Sequence, residues 1–363
     1  MSKWKDCTNL LVIRLDNMGD LIMTNAALQE IKLQMPQCKI TLLTSTMALP
    51  IVPSLGTVDE SIQYDAPWMK LLDRADVSHT ESLVAELRRR KFDGCLIFNV
   101  YSQNPMPAIM LAYLAGIPKR AAYLRENPYT LLTDWIPDKE PLFYVQHQIS
   151  RDLALLGHVG ISHNLNRLPE LILPSKSETL TLPAAFNQRI LLNLDVSEEK
   201  RRIPANVGKE LIQELLNQGH QVVMAGKEDN DYLRSCRSGI RSEQLINLIG
   251  VTDIKQLLLL ISDSDAVVSV NTGVAHIACA LKKTILVLYA QTNPQHIPWS
   301  QNSDFILYPI PATMQSKNTI NIFVDKKHSP AKTAALRVSV IMKKLGFLLE
   351  QQNRRADGTL AVN

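Results

Sequence analysis

The stretch Leu10–Leu43, LLVIRLDNMGDLIMTNAALQEIKLQMPQCKITLL, decides the fold. Its opening run, Leu10-Leu11-Val12-Ile13, is apolar at every position, the pattern of a buried strand. Gly19 to Met35 carries apolar residues near helical spacing and stops at Pro36, which cannot continue a helix. Ile40-Thr41-Leu42-Leu43 then reads as a second strand. Strand, helix and strand in this order imply parallel pairing and a doubly wound α/β sheet.

The same alternation continues outward. Ser82 to Lys91 reads as a helix and Gly94 to Asn99 as a strand. The segment from Leu173 through Glu178 to Pro183 is polar and Pro-bounded, the composition of a linker. Beyond it the pattern restarts. Ile190–Leu194, Val222–Ala225, Ala266–Val270 and Thr284–Tyr289 read as strands. Ala205 to Gln218, closed by Gly219, and Val274 to Leu281 read as helices. After Pro330 a helical stretch covers Ala331 to Leu349. The expected organisation is therefore a Rossmann-like domain over residues 1–174, a linker over 175–188 and a second Rossmann-like domain over 189–330. A C-terminal helix over 331–350, packing back on the first domain, and a disordered tail over 351–363 complete it.

Composition sets outer bounds. A chain of 363 residues fits about two domains. Hydrophobic residues at 46% and charged residues at 20% are ordinary for a globular protein. A net charge of +4 suits an anionic ligand but is too small to argue for nucleic acid. No apolar run is long enough for a membrane span, and the first residues run straight into a strand, so no leader is expected. The five cysteines are scattered without a Cys-x-x-Cys pair, which points to a reducing cytoplasm rather than a disulfide framework or a structural zinc site.

Four segments carry candidate chemistry. Arg14-Leu15-Asp16-Asn17-Met18-Gly19-Asp20 joins the first strand to the first helix, where an open parallel sheet places its ligands. Asp20 there reads as a helix cap or as a general base for a hydroxyl, and the two roles are compatible. Ser269-Val270-Asn271-Thr272-Gly273-Val274-Ala275-His276 is a strand end, a turn and a helix start, whose amides can cradle a diphosphate. His276 either faces that diphosphate or packs beneath the turn. Lys200-Arg201-Arg202 offers guanidinium forks for phosphate oxygens, or a solvated basic loop. Tyr289-Ala290-Gln291-Thr292-Asn293-Pro294 is a further loop at the same edge. Arg88-Arg89-Arg90-Lys91 reads as a solvated helix end or as a contact for an acidic acceptor or lipid surface, and Asp263-Ser264-Asp265 as a helix end rather than a metal motif. There is no metal-ligand spacing, no Gly-x-Ser-x-Gly elbow and no Gly-x-Gly-x-x-Gly fingerprint, which disfavours a nicotinamide dehydrogenase.

In this order the segments resemble glycosyltransferase family 9, the bacterial ADP-heptose:lipopolysaccharide heptosyltransferases. The likeness runs through the opening stretch, AGIPKR (Ala115–Arg120) and HQISRDLALLG (His147–Gly157). It is strongest over DAVVSVNTGVAHIACALKKTILVLYAQTNP (Asp265–Pro294). The resemblance implies a GT-B fold, two Rossmann-like domains facing each other across a cleft, and an inverting transfer that needs neither metal nor cofactor. It assigns Asp20 as the catalytic carboxylate. Arg201, Thr272, Gly273 and His276 are assigned to the donor diphosphate, and Asn271 and Thr292 to the donor turn. Glu228 or Asn230 falls where the family contacts the donor nucleoside. Charge and domain position make Arg14, Lys119, Arg120 and Arg125 candidates for an acidic acceptor.

The implied partners are a nucleotide-diphosphate sugar, ADP-heptose first, and a saccharide or glycolipid acceptor such as lipopolysaccharide core. The implied place is the cytoplasm, with peripheral contact at the inner face of the cytoplasmic membrane. The chain departs from the family pattern at Asn271 for Asp, Arg201 for Lys, Ile203 for Trp and Gln291 for Pro. Those departures leave open a UDP- or GDP-sugar enzyme and a non-catalytic nucleotide-sugar-binding homologue.

Overall fold

The computed structural model describes residues 4–69, 77–176, 180–185, 187–328 and 333–356. The chain divides into two compact units, Met1–Ile172 and Leu173–Asn363.

The first unit is built on β1 (Asn9–Arg14), α1 (Met18–Gln34) and β2 (Lys39–Thr44), so the opening stretch folds as its periodicity requires. β3 (Glu60–Gln63), α2 (Val77–Arg90), β4 (Gly94–Ile97), α3 (Met106–Leu114), β5 (Lys119–Leu124), β6 (Asp134–Pro137) and α4 (Gln148–His158) follow. The sheet order is β3-β2-β1-β4-β5-β6, with parallel pairing throughout. The chain leaves β1 toward β2 and β3 and then returns to lay β4 on the other side. The strand order therefore reverses at β1 and β4, where the loops beyond the carboxyl ends diverge and leave a crevice.

The second unit repeats this plan. β7 (Arg189–Asn193), α5 (Ala205–Asn217), β8 (Gln221–Met224), α6 (Asp231–Arg237) and β9 (Leu245–Asn247) form one half. α7 (Ile254–Asp263), β10 (Ala266–Val270), α8 (Gly273–Ala280), β11 (Thr284–Ala290) and β12 (Ser303–Tyr308) form the other. The order β12-β11-β10-β7-β8-β9, again all parallel, puts the reversal between β7 and β10. A capping box holds the start of α7, with Asp253 and Gln256 each bonding the other's backbone amide. α9 (Thr319–His328) and α10 (Val338–Ala356) close the chain.

Two expectations for the C-terminus are corrected. α10 packs within the second unit: Val338, Ile341, Leu345, Leu348 and Leu349 join the same buried cluster as Leu211, Leu215 and Leu286. Its apolar stripe is a core stripe of this unit. Residues 351–356, read as a disordered tail, continue the helix. Polar side chains anchor that last turn and a half: Gln352 accepts a hydrogen bond from Thr284 at 2.6 Å, and Arg355 donates to Asn302. Pro330 and the first two residues of the expected helix lie outside the described residues. Among the described residues no helix is long and apolar enough to cross a membrane.

Candidate functional site

The crevice of the first unit is built around a buried guanidinium. Arg14 ends β1 and is fully buried. Its Nε lies 3.0 Å from Asp16 Oδ2 and its Nη2 lies 3.3 Å from Asp20 Oδ1. Asp20 sits in the first turn of α1, whose N-cap is Asn17. Asp20 is the third residue of α1 rather than its N-cap, and its carboxylate lies within reach of Arg14. A third carboxylate arrives from far along the chain. Asp152 on α4 accepts from Thr24 Oγ1 at 2.7 Å and from Gln148 Nε2 at 2.6 Å, and Thr24 also bonds the Asp20 carbonyl at 3.0 Å.

Charge in this pocket is crowded. Burial pushes the Asp16 carboxyl up to about 6, with Arg14 opposing the rise and Asp20 adding to it. Burial likewise pushes Asp152 up to about 6, against Arg14 and the two donors from Thr24 and Gln148. For Arg14, burial disfavours the charged form, but Asp16, Asp152 and Asp20 together outweigh it and hold the guanidinium above its ordinary value.

The four basic residues assigned to an acceptor do not form one surface. Arg14 is sealed inside and cannot grip a ligand. Lys119 and Arg120 open β5, level with Gly94 at the start of β4, so they lie at the amino edge of the sheet, opposite Asp20. Arg120 spends its guanidinium on the carbonyls of Leu131, Ile117 and Thr130. Lys119 Nζ donates to Cys7 Sγ at 3.4 Å. Arg125 follows β5 at the carboxyl edge, but its Nη2 donates to the carbonyls of Tyr101 and Glu140. Strand edge and backbone carbonyls, neither visible in a charge count, decide these placements.

In the second unit, loops after β7, β10 and β11 meet at the carboxyl edge. Thr272 is the N-cap of α8, with extended backbone, and its hydroxyl donates to Asn193 Oδ1 at 3.2 Å rather than capping the helix. Ser269 Oγ donates to the same oxygen at 3.3 Å. Asn271 Nδ2 donates to Thr292 Oγ1 at 3.2 Å, tying the donor turn to the loop after β11. Arg201 Nη1 donates to the Asn271 carbonyl at 3.2 Å, and the Arg201 carbonyl accepts from Tyr308 at 2.6 Å. Arg201, Asn271, Thr272, Gly273 and Thr292 are therefore brought together around the start of α8, where backbone amides face outward and the helix dipole favours an anion.

His276 is not part of that rim. It is 5% exposed, stacks on Trp299 at 5.2 Å and meets the edge of His296 at 6.2 Å. Its ring is therefore packed against Trp299 and His296, one turn into α8. Asn230 caps α6 by accepting from the Leu233 amide at 3.0 Å, so its oxygen is committed. Glu228 is exposed on the loop after β8. Asn193, Ser269, Asp16 and Asp152 were missed by sequence reasoning. The first two had a legible signal, a polar residue inside the apolar runs ILLNL and AVVSV. Among the described residues, no group of His, Cys, Asp and Glu is arranged to hold a metal ion.

Two parallel six-stranded Rossmann-like units in one chain are the α/β architecture of GT-B glycosyltransferases. The chain belongs to glycosyltransferase family 9 (heptosyltransferase), whose family model matches residues 80–323, and it is accordingly a transferase enzyme. The Asp20 segment precedes that matched range. Lipopolysaccharide heptosyltransferase 2 of Escherichia coli is 25% identical over 307 residues, covering 80% of this chain and 84% of that protein. The solved structure of E. coli ADP-heptose lps heptosyltransferase II superposes with a TM-score of 0.72 at 21% identity, over 95% of this chain and 99% of that one. E. coli heptosyltransferase WaaC with ADP gives a TM-score of 0.67 at 14% identity, over 94% and 99%.

Proposed function

We propose that this enzyme transfers heptose from ADP-heptose to a saccharide acceptor of the lipopolysaccharide-core type, with inversion and without a metal ion. The observation that carries this reading is the rim at the start of α8, where Arg201 is anchored on the Asn271 carbonyl beside the helix N-terminus. A cation and a helix N-terminus together neutralise the charge that grows on a leaving diphosphate, which is the task a metal performs elsewhere. The relatives named for lipopolysaccharide heptose transfer, and the one solved with ADP, support the choice of donor and acceptor.

Asp20 is the proposed general base. It takes the proton from the acceptor hydroxyl, whose oxygen attacks the anomeric carbon from the face opposite the diphosphate. The C–O bond to the acceptor forms as the bond to the β-phosphate oxygen breaks, and ADP leaves with the electron pair. Arg14 Nη2 lies 3.3 Å from Asp20 Oδ1 and orients the carboxylate, which becomes a neutral acid once it has taken the proton.

Calorimetric titration with ADP, UDP and GDP, with magnesium and then with EDTA, tests the donor half. Tight ADP binding that ignores EDTA is expected; a preference for UDP or GDP removes heptose from the proposal. Asp20→Asn tests the catalytic half. It is expected to keep ADP affinity and to lose roughly 10²–10⁴-fold in turnover, the usual contribution of a general base. A variant that turns over normally would remove Asp20 from the mechanism.

A further inference from the structure

Thr24 stands on α1 one turn beyond Asp20 and is fully buried. Its hydroxyl lies within hydrogen-bond distance of two oxygens. One is the Asp20 carbonyl at 3.0 Å, the i−4 carbonyl that a helical threonine commonly bonds. The other is Asp152 Oδ2 at 2.7 Å, brought in by α4, which packs on α1. A hydroxyl owns a single proton. It serves either the carbonyl or the carboxylate, and serving the carbonyl leaves Thr24 Oγ1 to accept a proton from Asp152.

The surroundings of Asp152 suit both arrangements. Gln148 Nε2 donates to its other oxygen at 2.6 Å in either case. Arg14 of β1 acts on it as a cation, and Tyr123 of β5 faces it from the sheet. On α4 itself the neighbouring cation is Arg151, which is spent on Asp138 at 2.9 Å and Glu140 at 2.8 Å beyond β6. Burial outweighs these donors and cations and brings the Asp152 carboxyl up to about 6, so both of its protonation states are reachable near neutral pH.

We propose that Asp152 is a positioning residue for the transfer reaction, acting on Asp20 through Thr24 and Arg14. This role rests on the reading of Asp20 as the general base. With Asp152 ionised, the Thr24 proton turns to it, the hydroxyl releases the Asp20 carbonyl, and Arg14 answers three carboxylates at once. With a proton taken from solvent, Asp152 donates to Thr24 Oγ1 and Thr24 donates to the Asp20 carbonyl. Arg14 is then shared by Asp16 and Asp20 as the remaining anions, and it holds Asp20 more tightly. The ionised arrangement leaves the Asp20 carboxylate the lighter hold and is the working one.

Asp152→Asn reproduces the protonated arrangement permanently. Its Nδ2 donates to Thr24 Oγ1 and its Oδ1 still accepts from Gln148, so the fold is expected to persist by circular dichroism. Transfer is measured as ADP released from ADP-heptose in the presence of a lipopolysaccharide-core acceptor. Asp152→Asn is expected to lower kcat by about tenfold near neutral pH, with the donor KM and the ADP affinity unchanged. The ratio of wild-type to variant kcat is expected to grow as pH rises from about 5 to about 7.5, because the wild type then loses the proton that the variant mimics. Thr24→Val deprives ionised Asp152 of its donor and is expected to lower kcat likewise, and Thr24→Ser to restore it. Infrared difference spectra between about pH 5 and about pH 7.5 read the proton directly. On acidification the wild type is expected to gain a carboxylic-acid carbonyl band that Asp152→Asn lacks, beyond the Asp16 contribution that both share.

A kcat ratio that stays flat with pH, an equal infrared change in the two proteins, or a loss in Thr24→Val that Thr24→Ser does not relieve would overturn the proposal. Asp20→Asn separates it from the reading beneath it. Normal turnover there removes the base and this role together, whereas loss there with unchanged turnover in Asp152→Asn removes this role alone.

Discussion

Asp16 is the residue that best separates charge chemistry from simple packing. Burial pushes its carboxyl up to about 6, from an ordinary value of 3.8. Between those values the folded protein holds a proton that the unfolded chain has lost, so stability falls as pH rises through this window. Above about pH 6 the cost of keeping the ionised carboxylate buried is fully present. Asp16→Asn removes that cost at neutral pH. The melting temperature of the wild type is therefore expected to rise relative to Asp16→Asn as pH is lowered from about 7 to about 5. Parallel melting curves across that range would show that Asp16 does not titrate there. The position of Asp16, beside Gly19 and Asp20, was legible in the sequence. Its burial was not, because that depends on Gln103, 87 residues away, which bonds its carboxylate.

At the scale of elements, the start of α8 is the unit to test. The turn was legible because a strand of five apolar-rich residues, a Thr-Gly pair and a short helix follow one another locally. What the turn contacts was not. Arg201 reaches Asn271 across 70 residues, and the parallel pairing of β7 with β10 is what brings their following loops side by side. Arg201→Ala is expected to weaken ADP binding about 10- to 100-fold, the range for a lost hydrogen bond to a charged group. Calorimetry would measure this. Unchanged affinity would place the phosphates elsewhere. His276→Ala, by contrast, removes a ring stacked on Trp299, so its first effect belongs to stability and not to the donor.

At the scale of the whole molecule, each unit depends on helices brought from distant parts of the chain. α10 carries Leu345 into the second unit's core, where it is 1% exposed. Leu345→Ala leaves a cavity among Leu211, Leu286 and their neighbours and is expected to cost about 2–5 kcal/mol. Urea unfolding would show a lower midpoint; an unchanged midpoint would mean that α10 is not part of this core.

The sequence by itself determined the alternation of strands and helices, the placement of Asp20 and the Thr272 turn at strand ends, and the family. Each of these is written in local periodicity or in a contiguous motif. Tertiary structure alone decided that Arg14 is sealed among three carboxylates, that Lys119 and Arg120 stand at the far edge of the sheet, and that α10 belongs to the second unit. Those outcomes follow from strand order and from which distant element covers a given face. A run of residues fixes its own period, but its burial and its neighbours are set by parts of the chain a hundred residues away, as Asp152 is for Thr24.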